Sequence, residues 1–446
     1  MVGPSAPRVE RRVLRNGLEV LLVPRAASPV VSVWVWYRVG AKNEAPGTTG
    51  AAHWLEHMLF KGSRRYRVGE MDRAIVEAGG ILNAFTDADF TGYFSTVPRE
   101  HMAAPLDIEA DRMTGATIPS DEIDRERSVV LSEREGNENH PIFRVEEEIY
   151  GLAFREHPYR WDALGSVQDI RSMDREALYS FYRRYYGPDN ATLVVAGGFD
   201  LPSMVREVDR RFSGIRAKVA DPRVKVVEPP QRGERRAALR GPGSTPIVRI
   251  GWRAPGVGDP RASALLLLDL HLGGENALYP TGGFRGAREH PTARLYQALV
   301  DKGLAVRAGS DWPPRIHPGL FSLFAQAAPG VKGDRLEEAL LEESRRLTRT
   351  LLTPQELRRL KERLIRGASL AWEGSTRTAF RLGFFRTLGN LAWDRQIFRR
   401  ALTIRPTDLR DAARELFLDA SRNVVRYEVD PARDGKAASG GEGTDE

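Results

Sequence analysis

Apolar positions in the first half of the chain switch between two periods. Val9–Leu14 and Leu18–Val23 read as strands, and Asn16-Gly17 between them is a favoured hairpin dipeptide. Val30–Tyr37 is a third strand, dense in β-branched and aromatic residues. Val68–Ala78 has helical spacing and closes on Gly79-Gly80. Strand character returns in Asn83–Thr86 and Thr91–Val97; helices are expected over 100–115, 120–139, 143–155 and 174–185, then a buried strand at Ala191–Gly197. From 214 to 234 the periodicity gives way to Pro, Lys and Arg, which reads as a linker.

The pattern then repeats. Ser28-Pro29-Val30-Val31 is echoed by Thr245-Pro246-Ile247-Val248, and Asn190–Val195 is echoed around Asn423-Val424-Val425, at offsets of 217 and 233 residues. The expected fold class is α+β: two homologous domains duplicated within the chain, each a mostly antiparallel sheet packed with helices. Boundaries are placed at 8–215 and 235–431, with a linker at 216–234 and a Gly/Ser/Asp/Glu-rich tail at 432–446 expected to be disordered.

Composition narrows the chemistry. At 446 residues the chain exceeds one ordinary core, and no apolar run reaches the ~20 residues that span a bilayer. No leader peptide is read at the start, so a cytoplasmic protein without membrane attachment is expected. The net charge of +7 comes from arginines scattered among acids, without basic runs and interleaved aromatics, which argues against nucleic-acid binding. With no cysteine there are no disulfides and no thiolate ligands. Any metal must be held by histidine and carboxylate.

One stretch offers that chemistry. His53-Trp54-Leu55-Glu56-His57 places two histidines four residues apart on one helix face, a spacing that serves one zinc ion. Glu56 lies beside them as a proton acceptor. Gly47-Thr48-Thr49-Gly50 supplies turn and cap chemistry ahead of it. A third ligand must come from elsewhere, and the acidic segment 120–139 offers Glu122, Glu126, Glu133, Glu135 and Glu138. Glu126 and Glu133 are two turns apart, so one can bind metal while the other orients a ligand histidine. Spacing alone leaves that choice open.

Further motifs carry a resemblance. H-W-L-E-H, Gly79-Gly80-x-x-Asn83-Ala84-Phe85-Thr86, Arg125-Glu126 with Glu133, His157-Pro158-Tyr159 and Tyr186-Gly187-Pro188-Asp189-Asn190 together resemble the pitrilysin/insulinase family of inverted-motif zinc peptidases. The resemblance is nearly continuous over the first half and weaker over the second. It implies Glu133, 76 residues beyond His57, as the third zinc ligand, with Glu126 as its supporting partner. It also implies one zinc per chain and a peptide substrate laid against the strand of Asn83 and Ala84 as an added strand.

The second half departs from that pattern. The family's Arg and Tyr, which reach the substrate from this half, are matched by Val300 and Val306, whose side chains donate no hydrogen bond. Arg294 and Arg307 are the nearby cations. The helix at Ser263–Leu272 carries a single His271, with Leu267 one turn earlier, and is expected to hold no metal. A glycine-rich insertion from Gly273 to Pro291 resembles the loop of the non-catalytic subunit of mitochondrial processing peptidases. The expectation is a zinc metalloendopeptidase subunit acting on peptides or unfolded segments. It is expected to work with a homologous partner, as a heterodimer or homodimer. The alternative is a non-catalytic scaffold or peptide-binding subunit.

Overall fold

The computed structural model describes residues 7–217, 222–273 and 291–430. Most of the glycine-rich insertion and the tail lie outside them. In chain order, β1 (Glu10–Val13), β2 (Glu19–Pro24) and β3 (Val30–Tyr37) precede α1 (Ala51–Met58) and α2 (Glu70–Glu77). The hairpin of β4 (Ile81–Thr86) and β5 (Thr91–Pro98) follows. Then come α3 (Ala103–Gly115), α4 (Ser120–Glu138), α5 (Pro141–Ala153), α6 (Val167–Ser172), α7 (Arg175–Tyr185), β6 (Ala191–Gly197) and α8 (Leu201–Phe212). The later part comprises β7 (Arg235–Gly241), β8 (Ile247–Ala254), α9 (Ala262–Leu272), β9 (Ala305–Asp311) and β10 (Gly319–Ala327). It continues through α10 (Gly333–Arg349), α11 (Pro354–Leu370), α12 (Ser375–Thr387), α13 (Ala392–Thr403), α14 (Pro406–Leu416) and β11 (Arg422–Val429).

The fold is α+β with a duplicated domain. One sheet has the order β1-β2-β6-β3-β5-β4 and the other β7-β11-β8-β10-β9. Without β1 the two orders correspond strand for strand. In each, the only parallel pair among the described residues is in the same place: β2 with β6, and β7 with β11. The chain divides into two compact units, neither of them one continuous segment. The first comprises residues 1–135, 157–227 and 368–394; the second comprises 136–156, 228–367 and 395–446. Thus α12, late in the chain, belongs to the first unit, and α5, early in the chain, to the second.

This interleaving explains why β3 is apolar at nearly every position. Val31, Val33, Val35 and Tyr37 join Trp54 and Leu55 of α1 in a buried cluster. Trp34 and Trp36 point to the opposite face, where Trp34 stacks on Phe94 with ring centroids 4.2 Å apart. There both indoles meet Phe380 of α12. A strand covered on both faces reads as a continuous run rather than an alternation. The helix approaches the sheet through Gly383, where a Cβ would collide with the Trp36 indole. Arg381 and Asp394 form a two-bond buried ion pair behind it, at 3.0 and 2.5 Å.

Helix boundaries differ from the sequence expectation by a few residues. The helix expected from Val68 begins at Glu70, because Gly69 adopts a left-handed φ of 80° as its N-cap. The helix expected from 143 begins at Pro141, whose missing N–H costs nothing in a first turn.

Candidate metal centre

The first unit builds the site on α1. Its N-cap is Gly50, with φ of 89° and no side chain to receive the free amides of the first turn. A Cβ here would stand 2.8 Å from the Leu164 carbonyl oxygen, so the turn requires glycine. The cap chemistry expected of Gly47-Thr48-Thr49-Gly50 is supplied by Glu44 instead. Its carboxylate accepts from the amides of Gly50 and Ala52, each at 2.9 Å. Thr49 is engaged elsewhere: its hydroxyl and amide donate to Asp169 at 2.6 and 3.0 Å. Glu44 and Asp169 together fix the entry of the metal-motif helix.

His53 and His57 stand one turn apart, their rings edge to face with centroids 4.8 Å from each other. Across from them α4 presents Glu133, whose Oε2 lies 3.6 Å from His53 Nε2 and 3.7 Å from His57 Nε2. These three residues offer ligand atoms within 4.8 Å of one another, the one such group among the described residues. The set suits zinc: two imidazole nitrogens and one carboxylate oxygen, with a coordination position left over. Burial, reinforced by the neighbouring His57, lowers His53 to about 3 and keeps its ring neutral, as a metal ligand must be.

Glu126 lies two turns before Glu133 on α4. Its carboxylate meets His57 Nδ1 at 3.1 Å and the Lys61 ammonium at 2.5 Å. A carboxylate only accepts, so His57 carries its proton on Nδ1 and turns the Nε2 lone pair toward Glu133. Glu135, the other acid two residues beyond Glu133, pairs with Arg171 at 3.9 Å instead.

Glu56 is half-buried beside the histidines. Burial raises its carboxyl to about 7, with a smaller push from Glu133, while the Thr86 hydroxyl bond opposes the rise. That bond, at 2.6 Å, ties α1 to the end of β4. β4 is the outermost strand of its sheet, pairing inward with β5 at Asn83↔Phe94 and Ala84↔Tyr93. Asn83 is exposed on it, and its Oδ1 accepts from the Ala84 amide at 2.8 Å. Thr86, Glu44 and Lys61 escaped the sequence reading. Thr86 lies within the Asn83–Thr86 motif, but nothing in the pattern pairs it with Glu56.

In the second unit α9 carries His271, and its face is apolar: Leu267 is fully buried. Burial lowers His271 to about 4. Arg294 is held by Glu343 in two bonds of 2.6 and 2.8 Å. Val306 and Arg307 are exposed on β9. No helix among the described residues is long and apolar enough to cross a membrane.

Comparison with known proteins adds a family to this geometry. The family described as insulinase (peptidase family M16) matches residues 19–165, and the peptidase M16 inactive domain matches residues 172–364. The chain is 28% identical to the zinc protease PqqE of Helicobacter pylori, over 94% of this chain and 92% of that protein. It is 26% identical to a probable mitochondrial-processing peptidase subunit beta of Arabidopsis thaliana, over 75% of this chain and 61% of that one. A crystal structure of a protease from Helicobacter pylori superposes with a TM-score of 0.88 at 26% identity, covering 95% of this chain and all of that one. Its relatives are named zinc proteases, its two halves match the two domains of one peptidase family, and the chain belongs to the insulinase (M16) family.

Proposed function

We propose that the chain is a zinc-dependent metalloendopeptidase subunit that cleaves peptides or unfolded protein segments. The observation that carries this reading is the convergence of His53, His57 and Glu133 beside a half-buried Glu56 whose carboxyl is raised to about 7. Zinc held by those three residues would acidify a bound water and polarise the scissile carbonyl. Glu56 takes the water proton and delivers it to the leaving amine. A carboxyl poised near neutrality suits both directions of transfer. Thr86 orients Glu56, and Glu126 orients His57. The substrate backbone adds to the free edge of β4 at Asn83 and Ala84, its carbonyl displacing the Asn83 side chain from the Ala84 amide.

Among the described residues, the positions matched to the family's Arg and Tyr supply no donor. Val300 and Val306 donate no hydrogen bond, and Arg294 is committed to Glu343. A homologous partner supplying a donor to the developing oxyanion completes the reading, since such a donor is worth ~10²–10³ in rate. The same two valines favour a second reading, a non-catalytic scaffold or peptide-binding subunit. Turnover of an unstructured peptide by purified zinc-loaded chain, with Glu56→Gln as control, tests the two. Zinc-dependent cleavage abolished by Glu56→Gln supports the peptidase. Equal rates in both proteins would overturn it.

A further inference from the structure

The candidate metal ligands come from two helices, His53 and His57 on α1 and Glu133 on α4. A tetrahedral zinc with bonds of ~2.0–2.2 Å holds its ligand atoms ~3.3–3.6 Å apart. Glu133 Oε2 lies 3.6 and 3.7 Å from the two Nε2 atoms, close to that spacing before any ion is bound. Side chains on separate helices keep such a spacing only if the helices are held in register. The short helix α6 touches both.

Asp169 of α6 grips the entry to α1. Its Oδ2 accepts from the Gly47 amide at 3.1 Å and from the Thr49 amide and hydroxyl at 3.0 and 2.6 Å. Ser166, the N-cap of α6, donates its amide to the Thr49 hydroxyl oxygen at 3.0 Å. The two segments lie close: a Cβ on Gly165, where φ is 73°, would stand 2.4 Å from the Thr49 carbonyl oxygen. The other end of α6 leaves carbonyls that its own turns do not bond. Arg127 of α4 binds three carbonyls there. One of its guanidinium nitrogens donates to Ile170 at 2.6 Å, Met173 at 2.9 Å and Arg171 at 3.3 Å.

A second contact of Arg127 closes the ring. Its guanidinium carbon stands 4.7 Å from the centroid of the Trp54 indole, a cation–π distance. Trp54 is fully buried and directly follows His53 on α1, while Arg127 directly follows Glu126 on α4. The exposed Asp124 lies 3.6 Å from the other end of the fork and, as a surface pair, adds little. Contacts thus run from the entry of α1 through Asp169 and α6 to Arg127, and back to α1 at Trp54. A lysine would keep the charge but lose the planar fork that stacks and bonds at once.

We propose that residues 165–173 form a clasp that sets the separation of α1 and α4, with Arg127 as a positioning residue for the metal ligands. Arg127 acts through Trp54 and α6. The proposal rests on the metal-binding reading of His53, His57 and Glu133, and its test separates the two.

The test loads the full-length chain with cobalt(II), whose visible absorption reports coordination geometry, and measures zinc affinity by chelator competition. Arg127→Met removes the fork and its charge, Arg127→Lys keeps the charge alone, and Asp169→Ala releases the other end from a half-buried position. Each variant should bind zinc ~10-fold more weakly and show an altered cobalt spectrum. Arg127→Met combined with Asp169→Ala should bind no more weakly than Arg127→Met alone, because both cut one clasp. Additive losses in the double variant overturn the proposal. So does full affinity in Arg127→Lys, which would leave charge beside Glu126 as the whole effect. A lowered melting temperature with unchanged affinity and spectrum marks a purely structural contact and overturns it as well. Where Arg127→Met does not fold, Asp169→Ala decides by the same two readouts. A parent chain that binds neither metal overturns the metal centre along with the clasp. A parent that binds both, beside unaltered variants, overturns the clasp alone.

Discussion

Glu56 combines two properties that its position one residue before His57 does not by itself confer. It is buried enough for its carboxyl to rise to about 7, and it is aimed by the Thr86 hydroxyl. Glu56→Gln keeps the shape and removes the proton acceptor, so hydrolysis should fall by ~10²–10⁴ while zinc content stays at one per chain. Glu126 acts through His57, and Glu126→Ala should weaken zinc affinity by ~10–100-fold in a chelator competition, with the fold intact. Glu133→Gln should weaken zinc retention as well, because it changes a ligand. The histidines and Glu56 were legible in the sequence because a helix turns a four-residue spacing into a shared face. The choice among five acids of α4 was not legible from spacing, and only the family resemblance pointed to Glu133. It depends on which turn of α4 faces α1, and only the assembled unit shows Glu133 toward the two Nε2 atoms and Glu135 toward Arg171.

Two helices show what local pattern conceals. The entry to α1 looks self-capped by Thr49 and Gly50, yet the first-turn amides are satisfied by Glu44 from the preceding loop. Glu44→Ala leaves those amides unpaired. It should cost ~1–2 kcal/mol of stability and lower zinc occupancy, read by thermal melting and metal analysis of the same sample. The apolar run of β3 announces burial on both faces, but the cover on its tryptophan face comes from α12, more than three hundred residues later. Gly383→Val would drive a side chain into Trp36 and should destabilise the protein by ~1–3 kcal/mol. In the second unit, burial raises Asp269 of α9 from 3.8 to about 8, although Ser310 bonds it at 2.6 Å. The folded state thus holds a proton that the unfolded chain releases at lower pH. Stability from this group is complete below about 3.8 and is lost as pH rises through about 8. Asp269→Asn should flatten that decline, as urea midpoints at pH 5 and pH 8 would show.

At the scale of the whole chain, duplication was visible in two short echoes, and the matching strand orders give it a physical form. The exchange of α5 and α12 between units was not visible, because no periodicity records which sheet a helix covers. One unit carries His53, His57 and Glu133, and the other an apolar α9 in the place of α1. On the proposed reading, Val300 and Val306 offer the oxyanion no donor among the described residues. Addition of a homologous subunit that carries such a donor should raise turnover per zinc by ~10²–10³. Full activity of the lone chain would remove that claim and leave the metal centre standing. The central claim is the metal centre with its base. Its most direct measurement is hydrolysis of an unstructured peptide by wild-type chain and Glu56→Gln, purified alike, with zinc content determined on the same samples. One zinc in each protein is expected, and cleavage, however slow, only in the wild type. Equal cleavage in both proteins, or a wild-type chain that binds no zinc, would contradict it.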